Sequence, residues 1–153
     1  MHWLETRIPP PVVLVLAAAA AYGITRLLPT LSFPLPLRTA IAIALAIAGV
    51  MLNLIPKLAF GRARTTINPL KPSATTTLVT TGIYRRSRNP MYLGQCLILL
   101  GGVLYLHNAA ALLVLPAYVL YITRFQILPE ERHLSTRFPE EFDALRRQAR
   151  RWL

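Results

Sequence analysis

The residues of this chain best suited to chemistry stand in one polar run, Leu78-Val79-Thr80-Thr81-Gly82-Ile83-Tyr84-Arg85-Arg86-Ser87-Arg88-Asn89-Pro90-Met91-Tyr92-Leu93-Gly94. Gly82 permits a turn with positive φ, Asn89 suits an N-cap, and Pro90 suits the first helical position. A helix is therefore expected to begin at Pro90, where its unbonded N–H groups would favour an anionic group such as a carboxylate. Tyr84 and Tyr92 supply aromatic walls whose ring faces attract a cation within about 6 Å of a centroid. In combination these residue types suit a zwitterionic, partly aromatic ligand. They equally suit an interfacial aromatic belt whose neighbouring arginines hold lipid phosphates.

Two further groups carry charge where chemistry could use it. Glu130 and Glu131 follow Pro129, and either carboxylate can accept hydrogen bonds from hydroxyls or an ammonium. A Pro-Glu-Glu sequence also compensates the dipole at a helix start, and Pro139-Glu140-Glu141 has the same form. Arg124 is the only charged residue between Arg88 and Glu130, near the end of an apolar stretch. Its fork could orient a carboxylate or phosphate on a substrate, or it could snorkel to the interface. No Gly-x-Gly-x-x-Gly or Gly-Lys-Ser/Thr loop is present, and His2, His107 and His133 are far apart. A Rossmann enzyme, a P-loop enzyme and a metal cluster are not expected. Cys96 cannot form an internal disulfide and reads as a packing residue.

The elements that must position these residues are apolar. The 153 residues are 54% hydrophobic and only 15% charged, and the mean hydropathy is +0.46, which excludes a water-soluble globule and a disordered chain. Ile8 to Thr25 and Thr39 to Pro56 are each 18 residues without a charge, one bilayer span apiece. The first run is read as a retained helix, because it lacks a basic start and an evident cleavage site. The long apolar stretch from Asn89 to Leu128 is broken at His107-Asn108, which predicts a helical hairpin with limbs at about Pro90 to Leu106 and Ala109 to Leu128. Gly94, Gly101 and Gly102 are expected to allow close helix approach. The fold class is thus all-α and polytopic, with about four transmembrane helices. Residues 1–56 form two N-terminal spans, and residues 57–153 form a basic loop, the hairpin and a tail.

The formal net charge of +11 is unevenly placed. Lys57, Arg62, Arg64, Lys71, Arg85, Arg86 and Arg88 share one loop with no acidic residue, and Arg132, Arg137, Arg146, Arg147, Arg150 and Arg151 enrich the tail. The positive-inside rule makes both cytoplasmic, with both termini inside. The partner implied is the bilayer rather than nucleic acid. Five of the six acidic residues lie in the tail, which reads as two short cytoplasmic helices beginning at Pro129 and Pro139. The second is amphipathic, with Phe138, Phe142, Leu145 and Ala149 on one face, and is expected to lie on the membrane surface or against the bundle.

The order of these pieces carries a resemblance. The Leu78–Gly94 run, then a hairpin, then Glu130-Glu131-Arg132-His133-Leu134, Phe138-Pro139-Glu140-Glu141-Phe142 and Arg150-Arg151-Trp152-Leu153 resembles membrane methyltransferases of the isoprenylcysteine carboxyl methyltransferase type. Their bacterial relatives share this C-terminal half with phospholipid methyltransferases. The likeness covers about Thr76 to Leu153. It implies an S-adenosylmethionine site on the cytoplasmic side of the hairpin, held by the residues matching Thr76, Thr77, Leu78, Val79, Tyr84, Asn89, Pro90, Met91, Tyr92 and Glu130, with Glu131 beside them. Relatives usually carry histidine where this chain has Asn89, which keeps a polar contact but cannot titrate. Asn89 and Arg124 are the positions nearest to a catalytic role. The implied reaction is methylation of a carboxylate or similar nucleophile on a lipophilic acceptor. The alternatives are phospholipid N-methylation and a non-catalytic lipid-binding scaffold.

Overall fold

The computed structural model describes residues 5–29, 36–62 and 78–153. Thr76 and Thr77 lie outside the described residues, as do Arg64 and Lys71. Helix α1 spans Pro10–Leu27, α2 spans Arg38–Arg62 and α3 spans Pro90–Leu106. A 3-10 stretch at Ala110–Leu113 leads into α4 at Val114–Ile122, a π turn at Thr123–Ile127, α5 at Leu128–Arg137 and α6 at Pro139–Gln148. Among the described residues there is no β-strand, only an isolated bridge between Ser87 and Arg150.

Among the described residues, three helical stretches are long and apolar enough to cross a membrane: Pro10–Leu27, Arg38–Leu58 and Ala110–Arg137. Helix α3 is apolar but only 17 residues long, about 26 Å at 1.5 Å per residue, the short end of the spanning range. Val15, Leu16, Ile43, Ile47 and Met51 are exposed on α1 and α2, a surface suited to lipid and not to water. The protein is an all-α membrane protein.

Helices α1, α3 and α4 share the main core, in which Val13, Ala21, Leu99, Val103, Val114, Tyr118 and Ile122 are buried. Helix α2 packs on α3 through small residues. A Cβ placed at Gly94 would stand 2.5 Å from the Gly49 carbonyl oxygen, and one at Gly101 would stand 2.8 Å from that of Ala42. Only glycine lets these backbones approach so closely. Gly102, expected to join them, has nothing within 4 Å of its Cβ position, because one residue of helix rotation turns it off the α2 face.

The hairpin turn falls where expected. His107 ends α3 in the left-handed region at φ 39°, and Asn108 begins the return. The Asn108 Oδ1 accepts the Ala110 and Ala111 N–H groups, while its Nδ2 donates to the Leu28 carbonyl, tying the far end of α1 to the turn.

The return limb differs from expectation. No separate helix begins at Pro129, because Ile127 and Leu128 keep right-handed helical angles and one helical stretch runs from Ala110 to Arg137. Pro129 lacks an N–H and its ring would press on the carbonyl four residues back, Phe125. The chain accommodates this by the π turn, in which the Leu128 N–H donates to Thr123 O, and by giving the Phe125 carbonyl to the Thr6 N–H at 2.9 Å. Since the helix does not start at Glu130-Glu131, dipole compensation at a helix terminus does not account for this acidic pair. Helix α6 does start at Pro139, and it docks on protein: Phe142, Leu145 and Ala149 pack against Leu78 and Leu134.

Candidate functional site

At the end of the bundle opposite His107, the first turn of α3 meets the first turn of α5. The Tyr92 hydroxyl donates to Glu130 Oε1 at 2.6 Å, across 38 residues of sequence. Tyr84, in a 3-10 turn at Gly82–Arg85 that opens with Gly82 at φ 64°, is also buried here. Burial, and secondarily the negative charge of Glu130, pushes the Tyr84 phenol well above its usual range, so it remains a neutral donor. The three side chains form one polar cluster in an apolar surround. One turn deeper, the Tyr118 hydroxyl donates to Gln95 Oε1 at 2.5 Å, both residues being buried.

Glu131, the next residue, is engaged differently. Arg88 donates to its Oε1 through Nε at 3.2 Å and Nη2 at 2.9 Å. Arg151 donates to Oε1 through Nε at 3.2 Å and to Oε2 through Nη2 at 2.7 Å. Arg88 Nη1 also reaches the Ala149 carbonyl at 2.7 Å, and the Arg88 N–H reaches Arg150 O at 2.9 Å. The two acids are about 100° apart around the helix, so one faces Tyr92 while its neighbour clasps the C-terminal tail.

Asn89 stands at the N-cap position of α3, but its side chain makes no capping bond. Its Nδ2 instead donates to Arg151 O at 3.0 Å, and its N–H goes to the buried Ser87 Oγ at 3.2 Å. The expected cap gives way to a tertiary bond because the tail carbonyl lies within reach. Trp152 Nε1 completes the clasp by donating to Thr123 Oγ1 at 3.3 Å. Pro90 is buried and Met91 half-buried beside this junction.

Leu78 packs against α6, and Val79 after it is buried. Between Leu78, Thr80 and the α6 residues Glu141, Leu145 and Gln148 lies a groove of about 360 Å³, within the size range of small-ligand sites. Arg124 is not part of the Tyr92–Glu130 cluster. Its Nη1 donates to Glu5 Oε1 at 2.8 Å, and Arg132 pairs with the other Glu5 oxygen.

The structure thus brings together Tyr84, Asn89, Pro90, Tyr92, Glu130 and Glu131, and separates Arg124 from them. Sequence reasoning missed Glu5, the Gln95–Tyr118 pair, Ser87 and the tail carbonyls. The only sequence signal for Glu5 was its being the one acidic residue outside the tail, and for Gln95 its lying three residues from Tyr92 on an apolar helix.

What the site offers chemically follows from its donors and acceptors. Tyr92 occupies one side of Glu130 and leaves the second carboxylate oxygen to accept from a hydroxyl or ammonium. The phenols of Tyr92 and Tyr84 lie close enough to Glu130 to feel its charge, and ring faces of this type suit a cationic group. Both oxygens of Glu131 are taken by arginines, so it serves to hold Arg88 and Arg151 in place.

A half-buried acid and two buried tyrosines meet at one end of the bundle of a multi-pass membrane protein. The phospholipid methyltransferase family matches residues 37–141, more than half of the chain, and the protein belongs to that family. Membership supports a membrane methyltransferase. The match begins at α2, well before the motifs from Thr76 onward that carried the resemblance. A protein of Haemophilus influenzae described as uncharacterized is 41% identical over 63 residues, which are 41% of this chain and all of that one. No solved structure matches the chain.

Proposed function

We propose that the protein is an S-adenosylmethionine-dependent methyltransferase acting on a carboxylate or similar nucleophile of a lipophilic acceptor that enters from the bilayer. The observation that carries this reading is the Tyr92–Glu130 pair with Tyr84 beside it, at the junction of α3 and α5. These residues fit the cofactor: an acid oxygen for ribose hydroxyls or the methionine ammonium, and aromatic faces for a sulfonium. When bound, the cofactor supplies an electrophilic methyl group on a sulfonium that departs as a neutral thioether. Glu130 would hold the cofactor's polar groups, Tyr92 would fix that carboxylate, and Leu78 and Val79 would supply apolar contact. The Arg88–Glu131–Arg151 clasp keeps the tail over the site and limits water there. An acceptor already ionised needs alignment more than proton transfer, which suits a site whose histidine position is Asn89. Arg124, if it meets an acceptor anion, must first give up Glu5.

The orientation proposed is cytoplasmic. Arg88 touches the tail and Thr6 touches Phe125, so the chain's start, the α3 approach and the tail share one end of the bundle. That end collects Arg85, Arg86, Arg146, Arg147 and Arg150, as the positive-inside rule asks of the cytoplasmic face.

Calorimetry in detergent tests the reading: wild type binds S-adenosylmethionine and Tyr92→Ala binds it much more weakly. Absence of binding by wild type would end it. The family match favours a second reading, N-methylation of a phospholipid amine. Lipid extracts from cells with and without the protein separate the two, since new methylated headgroups select the amine.

A further inference from the structure

The first described residues of the chain form a strap across the π turn. Glu5 bridges Arg124, inside the turn, to Arg132, beyond Pro129. The Thr6 N–H takes the Phe125 carbonyl that Pro129 cannot serve. The Ile8 carbonyl accepts from Nε2 of Gln126, a fully buried residue of the same turn. Glu5, Thr6 and Ile8 therefore land on three successive residues of the turn, Arg124, Phe125 and Gln126, and Glu5 also reaches Arg132. Thr6 holds φ 57°, a region that β-branched residues rarely adopt, so the strap's path is imposed by these contacts.

What the π turn does is visible in the azimuths of two side chains. Tyr118 and Glu130 both reach α3, meeting Gln95 and Tyr92, which lie three residues apart on one face. In an unbroken α-helix twelve residues turn through about 1200°, leaving Glu130 about 120° away from Tyr118. The one extra residue of a π turn takes back about 100°, which leaves the two side chains about 20° apart. Without the π turn, Glu130 would point away from Tyr92.

We propose that Glu5–Ile8 is a positioning strap: by holding the π turn open it sets the rotational phase of α5 and aims Glu130 at Tyr92. Glu5 is its principal positioning residue, acting through Arg124 and Arg132. The phase itself is a property of the fold. Its consequence for catalysis rests on the reading of Tyr92 and Glu130 as cofactor-binding residues.

Cross-linking in the full-length chain reads the phase without reference to activity. Cys96 is the single cysteine, so a Cys96→Ala background carries either Tyr92→Cys with Glu130→Cys, below the π turn, or Gln95→Cys with Tyr118→Cys, above it. A short bifunctional thiol reagent joins each pair when the strap is intact. With Glu5→Ala, or with the milder Arg132→Ala at the exposed end of the clamp, the first pair should link about tenfold more slowly while the second changes less than about twofold. In the chain with native cysteine and site residues, Glu5→Ala should raise the S-adenosylmethionine KM about tenfold with kcat nearly unchanged, and Glu5→Asp should restore most of it. Unchanged linking of both pairs would overturn the proposal, and so would an equal fall in both, which would make the strap a support of the whole hairpin. If wild type has no methyltransferase activity the cofactor reading fails, and the cross-linking still decides the strap.

Discussion

Replacing Glu131 with glutamine tests whether the tail is held by charge. Four hydrogen bonds converge on this carboxylate, from an Arg88 side chain only 11% exposed and an Arg151 side chain 37% exposed, with Glu131 itself at 14%. Removing one partner of a pair this secluded costs about 3–5 kcal/mol, mostly from stranding the other charge. For a chain of this size that lowers the midpoint of thermal unfolding by roughly 6–20 °C. Arg88→Ala should cost about as much, since it also strands the Ala149 carbonyl. Arg151→Ala should cost only about 1 kcal/mol, because solvent already screens that arm. Trp152 reports the same event: in a Trp3→Phe background its emission should shift to the red as the tail leaves Thr123. An undiminished midpoint and unshifted emission in Glu131→Gln, or a larger loss from Arg151→Ala than from Arg88→Ala, would refute the clasp.

Glu130→Gln retains an oxygen for the Tyr92 hydroxyl but removes the charge, so calorimetric affinity for S-adenosylmethionine should fall about 10- to 100-fold without a lower unfolding midpoint. Gly94→Ala drives a methyl into the Gly49 carbonyl and should cost about 1–3 kcal/mol, whereas Gly102→Ala meets open space and should be neutral or stabilising by up to about 1 kcal/mol, both read from thermal unfolding in detergent.

Much of the architecture was legible in the chain because its causes are local. Uncharged runs mark α1 and α2, and the hairpin limb Pro90–Leu106 has the bounds expected from proline at its start and His107-Asn108 at its end. Gly82 takes the positive φ its type permits, and the amphipathic face of α6 is the face it buries. These signals act within a turn or two of helix, where propensity, capping and charge are decided.

The roles of individual polar residues were settled by tertiary packing. Glu130 and Glu131 are adjacent and chemically alike, yet one meets Tyr92 and the other two arginines, because the helix points them in different directions. Asn89 is an N-cap by type, but a carbonyl 62 residues away takes its amide. Glu5 gained its place from Arg124 and Arg132, more than a hundred residues distant, and Pro129 produced a π turn where a helix start was expected. What the amino-acid order determined by itself was where helices run and which faces are apolar. The rotation of each helix about its axis, which decides which polar groups meet, emerged only when the helices packed, since no local interaction distinguishes one azimuth from another.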